Sequence, residues 1–221
     1  MANILVFGTS TTYGAWDSEG GWVQRLRKFI DQKIIDSNFQ LDYLVYNLGI
    51  SGDKSKDILD RFESEKVPRL DKYGGENIFL FHLGINDCIF SETLGKTEVS
   101  EENFRSTLSE LLAKASKYSS KIVVIGPMPV DDRVNPMPWS PKRAYRNEFV
   151  ERFNQIMEEV AEKEGAHFVE AYKKFIETDY SSLLADGVHM NDEGYRRLFE
   201  LVKDYLLEHK IININSISPK N

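Results

Sequence analysis

Short apolar runs alternate with amphipathic stretches along the whole chain. The runs are Ile4–Phe7, Tyr43–Tyr46, Ile78–Leu83, Ile122–Ile125 and His167–Val169. They are rich in β-branched and aromatic residues, and most are too short for a helix, so they predict strands. Their apolar residues follow one another without alternation, which suits strands covered on both faces. Between them the period changes to three and four. Phe104, Leu108, Leu111, Leu112 and Ala115 fall on one helical face, with Ser100 as N-cap and Glu101 and Glu102 in the first turn. A second stripe runs through Tyr145, Phe149, Phe153, Ile156, Met157 and Val160. A third runs through Tyr195, Leu198, Phe199, Val202 and Leu206, with Asn191 as cap. Trp22, Leu26 and Ile30 predict an early helix, and Ile58, Leu59 and Phe62 a shorter one.

Strands alternating with helices imply βαβ units, a parallel sheet and helices on both faces. The expected fold is α/β, a doubly wound three-layer sandwich on five strands. Ligands of such folds bind beyond the carboxyl ends of the strands. No internal repeat or linker divides the chain, so a single domain over residues 1–212 is expected, followed by a polar tail, 213–221. The segment from Pro127 to Pro141 holds five of the seven prolines and reads as a stiff, non-helical loop.

Charge and composition narrow the partners. The 221 residues carry 28 basic and 35 acidic side chains, a net −7, so binding to nucleic-acid backbones is not expected. The lone cysteine, Cys88, excludes an intrachain disulfide and a multi-cysteine metal site. No run approaches the roughly 20 apolar residues that cross a bilayer, so no stable membrane insertion is expected. The chain enters its first strand-like run almost at once, without a secretory leader pattern, and a cytoplasmic protein is expected.

The chemistry lies in the segments after the strands. Gly8-Thr9-Ser10-Thr11-Thr12-Tyr13-Gly14 follows the first. Ser10 there could serve as a nucleophile, or the hydroxyls of Thr9 to Thr12 could cradle a phosphate, as in a flavodoxin-like flavin-binding protein. Asn47-Leu48-Gly49-Ile50-Ser51-Gly52-Asp53 follows the second, and its glycines let a backbone N–H approach a ligand. Gly84-Ile85-Asn86-Asp87-Cys88 follows the third; the Asn86 amide can donate to a developing negative charge. Cys88 lies near the same rim but has no histidine close in sequence and reads as a small buried hydrophobe. Asp186-Gly187-Val188-His189 comes near the C-terminus. An acid three residues before a histidine can reach one ring nitrogen and leave the other as proton acceptor. His82 and His167 sit in strand runs and read as packed side chains, His209 as a helix-end charge. A serine, a backbone donor, an amide donor and an Asp–His pair on one rim are the parts for acyl transfer.

These four blocks, in this order, resemble the SGNH hydrolases, the GDSL esterase/lipase superfamily, over nearly the whole chain. The resemblance implies a flavodoxin-like α/β/α fold with a five-stranded parallel sheet in the order 2-1-3-4-5. It implies a serine-dependent ester hydrolase with Ser10 as nucleophile, His189 as general base and acid, and Asp186 as its orienter. The implied oxyanion hole is formed by the Ser10 and Gly52 N–H groups and the Asn86 side chain. The implied partner is a small-molecule carboxylic, thio- or O-acetyl ester, with no metal and no cofactor. Two positions depart from the family. Gly-Asp-Ser-Leu reads Gly-Thr-Ser-Thr, so Thr9 lacks the charge beside the nucleophile, and Met190 stands where proline often follows the histidine. An inactive binding domain on the same fold is the further alternative. Met128, Met137, Trp139, Arg133, Arg143 and Arg146, in and beside the proline-rich loop, are candidates for a pocket wall.

Overall fold

The computed structural model describes residues 1–134 and 140–214. Met137, Trp139 and residues 215–221 of the expected tail lie outside the described residues. The described strands are β1 (Ala2–Gly8), β2 (Tyr43–Gly49), β3 (Glu76–His82), β4 (Phe90–Ser91), β5 (Lys96–Thr97), β6 (Lys121–Ile125), β7 (Arg143–Ala144) and β8 (His167–Val169). The helices are α1 (Ser10–Tyr13), α2 (Gly21–Asp36), α3 (Ser55–Lys66), α4 (Glu101–Ala115), α5 (Asn147–Lys163), α6 (Ala171–Ile176) and α7 (Asp192–Glu208).

Five strands form one parallel sheet in the order β2-β1-β3-β6-β8, which is 2-1-3-4-5 when those strands alone are counted. Alternate residues face opposite layers. Leu5, Phe7, Phe79, Phe81, Ile122 and Val124 pack with Phe62 of α3, Phe104 of α4 and Phe153 of α5. Ile4, Val6, Ile78, Leu80, Val123 and Ile125 pack with Trp22 of α2 and Leu198 and Val202 of α7. Both faces are therefore buried, which is why these strands read as continuous apolar runs. Each fully buried large apolar side chain contributes roughly 1.5–3 kcal/mol.

The caps follow the sequence. Ser100 accepts the Asn103 N–H at α4, and Asn191 accepts the Gly194 N–H at α7. Other features carried no periodic signal. β4, β5 and β7 are two-residue strands that make a separate antiparallel ribbon. Tyr145, read as part of a helical stripe, precedes α5, because Arg146 is extended at the N-cap. Among its described residues the proline-rich segment contains a 3-10 turn, Asp132–Val134, where no helix was expected. At the other end, the first two residues of the expected tail, Asn213 and Ile214, pack against the rest. Ile214 is buried, and the Asn213 N–H donates to the Tyr43 hydroxyl at 3.0 Å.

Register decides where the chemistry sits. Gly8 pairs with Gly49 and His82, His82 with Ile125, and Ile125 with Val169. All five strands thus end in one row, and the loops that leave them share one rim.

Candidate active site

The loop after β1 turns at once. A Cβ on Gly8 would stand 2.0 Å from Thr12 Oγ1 and 2.4 Å from the His82 carbonyl, so only glycine lets the chain fold back here. The single turn α1 then closes on Thr9, whose carbonyl accepts the Thr12 and Tyr13 N–H groups at 3.1 and 2.9 Å. Ser10 opens that turn, where its own N–H has no intrahelical acceptor. Its Oγ lies 2.9 Å from His189 Nε2.

His189 arrives from the other end of the chain, between α6 and α7. The segment doubles back as Leu184 bridges Met190 and the Ala185 N–H donates to the His189 carbonyl at 2.8 Å. Asp186 Oδ1 accepts the Val188 and His189 backbone N–H groups at 3.0 and 2.7 Å. Asp186 Oδ2 accepts from His189 Nδ1 at 2.7 Å and from the Trp16 indole N–H at 2.8 Å. Burial pushes this carboxyl up, but the His189 ring and the two backbone donors outweigh it and hold it at about 2. An ionised Asp186 fixes the proton on Nδ1 and leaves Nε2 as acceptor toward Ser10.

The second and third loops meet beside it. Gly52 has φ +88° with open space where a side chain would be, and its N–H has no hydrogen-bond partner among the described residues. Asn86 Nδ2 donates to the carbonyl of the next residue, Asp53, at 2.9 Å, and the Tyr145 hydroxyl donates to Asn86 Oδ1 at 3.1 Å. Arg61 of α3 ties the loops together underneath. Its guanidinium donates to the Asp53 carboxylate at 2.7 Å and to the Gly8 and Leu48 carbonyls at 3.2 and 2.9 Å. Asp87 is buried and accepts the Ser55 N–H and hydroxyl at 3.0 and 2.6 Å, fastening the start of α3 to the third loop. Desolvation raises the Asp87 carboxyl to about 6 despite those bonds.

The structure thus joins Ser10, His189 and Asp186 in one hydrogen-bonded chain and sets Gly52 and Asn86 on adjoining loops of the same rim. Trp16, Tyr145, Arg61 and Asp87 belong to the site as well. Only Asp87 lay inside a block the sequence singled out; the others had no local signal. The hydroxyls named for the phosphate-cradle alternative are engaged within the turn. Thr9, Thr11 and Thr12 are buried; Thr9 Oγ1 lies 3.2 Å from Thr11 Oγ1, and Thr12 Oγ1 donates to the His82 carbonyl at 3.4 Å. Those hydroxyls serve the turn. Cys88 is buried, and desolvation raises its thiol far above the ordinary range. His82 is buried and accepts the Trp22 indole N–H on Nδ1 at 3.2 Å. Met190, in the place of the family's proline, is a buried core side chain. Among the described residues no three His, Cys, Asp or Glu side chains gather as a metal-binding group, and no helix is long and apolar enough to cross a membrane.

A family model described as the GDSL-like lipase/acylhydrolase family matches residues 6–197. Among curated proteins, the chain is 25% identical over 225 residues to an uncharacterized lipoprotein, YqeF, of Bacillus subtilis, covering 91% of this chain and 88% of that one. Among solved structures it resembles a lipase/acylhydrolase from Enterococcus faecalis, with a TM-score of 0.73, 21% identity and full coverage of both chains. It also resembles Axe2, an acetylxylan esterase from Geobacillus stearothermophilus, with a TM-score of 0.69 and 16% identity over 93% of this chain and 94% of that one. At these identities the two structures speak for the fold.

Proposed function

The chain belongs to the GDSL-like lipase/acylhydrolase family, and from that premise we propose that it is a serine-dependent ester hydrolase working through an acyl-enzyme on Ser10. The observation that carries this reading is the unbroken chain Ser10 Oγ–His189 Nε2–Asp186 Oδ2, closed by contacts of 2.9 Å and, at Nδ1, 2.7 Å.

In this reading Ser10 Oγ attacks the carbonyl carbon and its proton passes to His189 Nε2. Asp186 keeps the ring in the required tautomer and stabilises the imidazolium. The carbonyl oxygen, now an oxyanion, takes hydrogen bonds from the Ser10 and Gly52 N–H groups and from the second amide hydrogen of Asn86. One such donor is typically worth about 2.7–4 kcal/mol of transition-state stabilisation. The intermediate collapses, His189 protonates the departing alcohol or thiol, and the acyl group stays on Ser10. Water then attacks that ester with His189 as base, releases the acid and restores Ser10.

The candidate substrates are carboxylic esters, thioesters and O-acetyl esters of small molecules. Axe2's name places acetylated sugar in the test panel. Ser10→Ala is expected to lower hydrolysis of a short-chain chromogenic ester by at least about 10⁴-fold, with the folded state intact by circular dichroism. A fluorophosphonate probe should label the wild type and not the variant. Turnover by Ser10→Ala at the wild-type rate would overturn the assignment; no labelling and no turnover by the wild type would favour a non-catalytic binding domain. A cytoplasmic location belongs to the same proposal. YqeF is named a lipoprotein, so cell fractionation must distinguish soluble from membrane-attached protein.

A further inference from the structure

Trp16 stands out on three counts. It is a non-glycine residue at φ +68°, in the left-handed region that costs a bulky side chain energy. The residue is 66% exposed, yet its indole N–H is committed to Asp186 Oδ2 at 2.8 Å. The ring also stands edge-on to the His189 imidazole, with centroids 5.7 Å apart and planes at 85°.

The surrounding chain enforces that conformation. The Ala15 N–H donates to the Ser10 carbonyl at 3.0 Å, and the Ala15 carbonyl accepts the hydroxyl of buried Tyr195 at 2.9 Å. On the other side Asp17 accepts the Gly21 N–H at 2.6 Å and forms an ion pair with Arg25. The strained backbone is thus pinned before and after Trp16. What it achieves is a side-chain bond between residues 170 apart in sequence, from the loop that carries Ser10 to the turn that carries His189.

Resting on the reading of Ser10, His189 and Asp186 given above, we infer that Trp16 is a positioning residue for that reaction. Its N–H fills the last of four donor places on the Asp186 carboxylate and locks the imidazole opposite the nucleophile. A carboxylate offers about four lone-pair sites. Two are taken by the Val188 and His189 backbone, one by His189 Nδ1 and one by Trp16. Without Trp16, Oδ2 keeps only the imidazole, and the Asp–His turn loses this tie to the nucleophile loop.

The charged and titratable groups around Asp186 are His189, Tyr145 and Tyr195, with the Asp17–Arg25 pair and Asp192 beyond. Burial pushes both phenols well above their ordinary range. Asp87, raised to about 6, titrates in the same window but bonds Ser55 rather than Trp16, so the difference in acid limb between wild type and a Trp16 variant reports the Asp186–His189 unit.

The test is Trp16→Phe, which keeps an aromatic ring and the backbone strain and removes the indole N–H together with part of the ring. Expected is a fall in kcat of roughly ten- to a hundredfold, the rate equivalent of one charge-assisted hydrogen bond, with KM nearly unchanged. The acid limb of the pH–rate profile should move to higher pH, because a carboxylate relieved of one donor holds a protonated imidazole more firmly. Trp16→Gly, which relaxes the backbone and serves if the phenylalanine variant folds poorly, should show the same kcat loss. A variant with wild-type kcat and an unmoved profile overturns the inference. So does a change confined to KM, which would make Trp16 a substrate wall. Ser10→Ala run alongside separates the two levels. If Ser10 is essential and Trp16→Phe is silent, the role of Trp16 alone falls; if Ser10 is dispensable, the underlying reading falls.

Discussion

Asn86 has two amide hydrogens, and the Asp53 carbonyl takes one of them at 2.9 Å. In the proposed reaction the other serves the oxyanion, and the Tyr145 hydroxyl holds the amide plane by donating to Oδ1 at 3.1 Å. Desolvation keeps the Tyr145 phenol well above its ordinary range, so it is a neutral donor across the working pH range. Tyr145→Phe is expected to lower kcat about two- to tenfold, the worth of one neutral hydrogen bond, with little change in KM; steady-state kinetics on a chromogenic ester checks it. At this scale the Asp186–His189 spacing was legible because both residues lie in one short turn. Tyr145 and Trp16 were not, because each reaches its partner across a fold in the chain that no local pattern records.

Among the elements, α3 shows how the rim is held in place. Its first residue, Ser55, gives both its N–H and its hydroxyl to buried Asp87, while Arg61, six residues further along, reaches the carbonyls at the ends of β1 and β2. The helix thereby clamps the first three loops from below. Ser55→Ala removes the 2.6 Å hydroxyl donor from a carboxylate that water does not reach. The expected cost is about 1.5–3 kcal/mol of folding stability, measured by urea unfolding. A cost indistinguishable from zero would mean that the backbone N–H alone suffices. The helices with apolar stripes and polar caps were legible as elements. The ribbon of β4, β5 and β7 was not, since two-residue strands have no period, and Tyr145 lies outside α5 although it keeps its spacing.

Across the whole molecule, two buried groups give stability opposed dependences on pH. Burial holds His82 at about 4 against an ordinary 6.5. Between those values the unfolded chain binds a proton that the folded chain refuses, so stability falls as pH drops from 6.5 toward 4. Asp87 works the other way: its carboxyl is raised to about 6 from 3.8, so the folded chain binds the proton first and gains stability as pH drops through that window. Asp87→Asn removes the second effect. Relative to the variant, the wild type is expected to gain up to roughly 3 kcal/mol on going from pH 7 to pH 4, read from urea midpoints at each pH. A stability difference that does not move with pH would refute it. The amino-acid sequence by itself determined the five strands of the parallel sheet, the long helices, both helix caps and the blocks of chemistry that follow those strands, because periodicity, capping and glycine turns act over a few residues. That Ser10 and His189 meet, and that Trp16, Tyr145, Arg61 and Asp87 hold the parts around them, was decided only in three dimensions. Those contacts depend on strand register and on how loops pack over the rim, which follow from the burial of both sheet faces together.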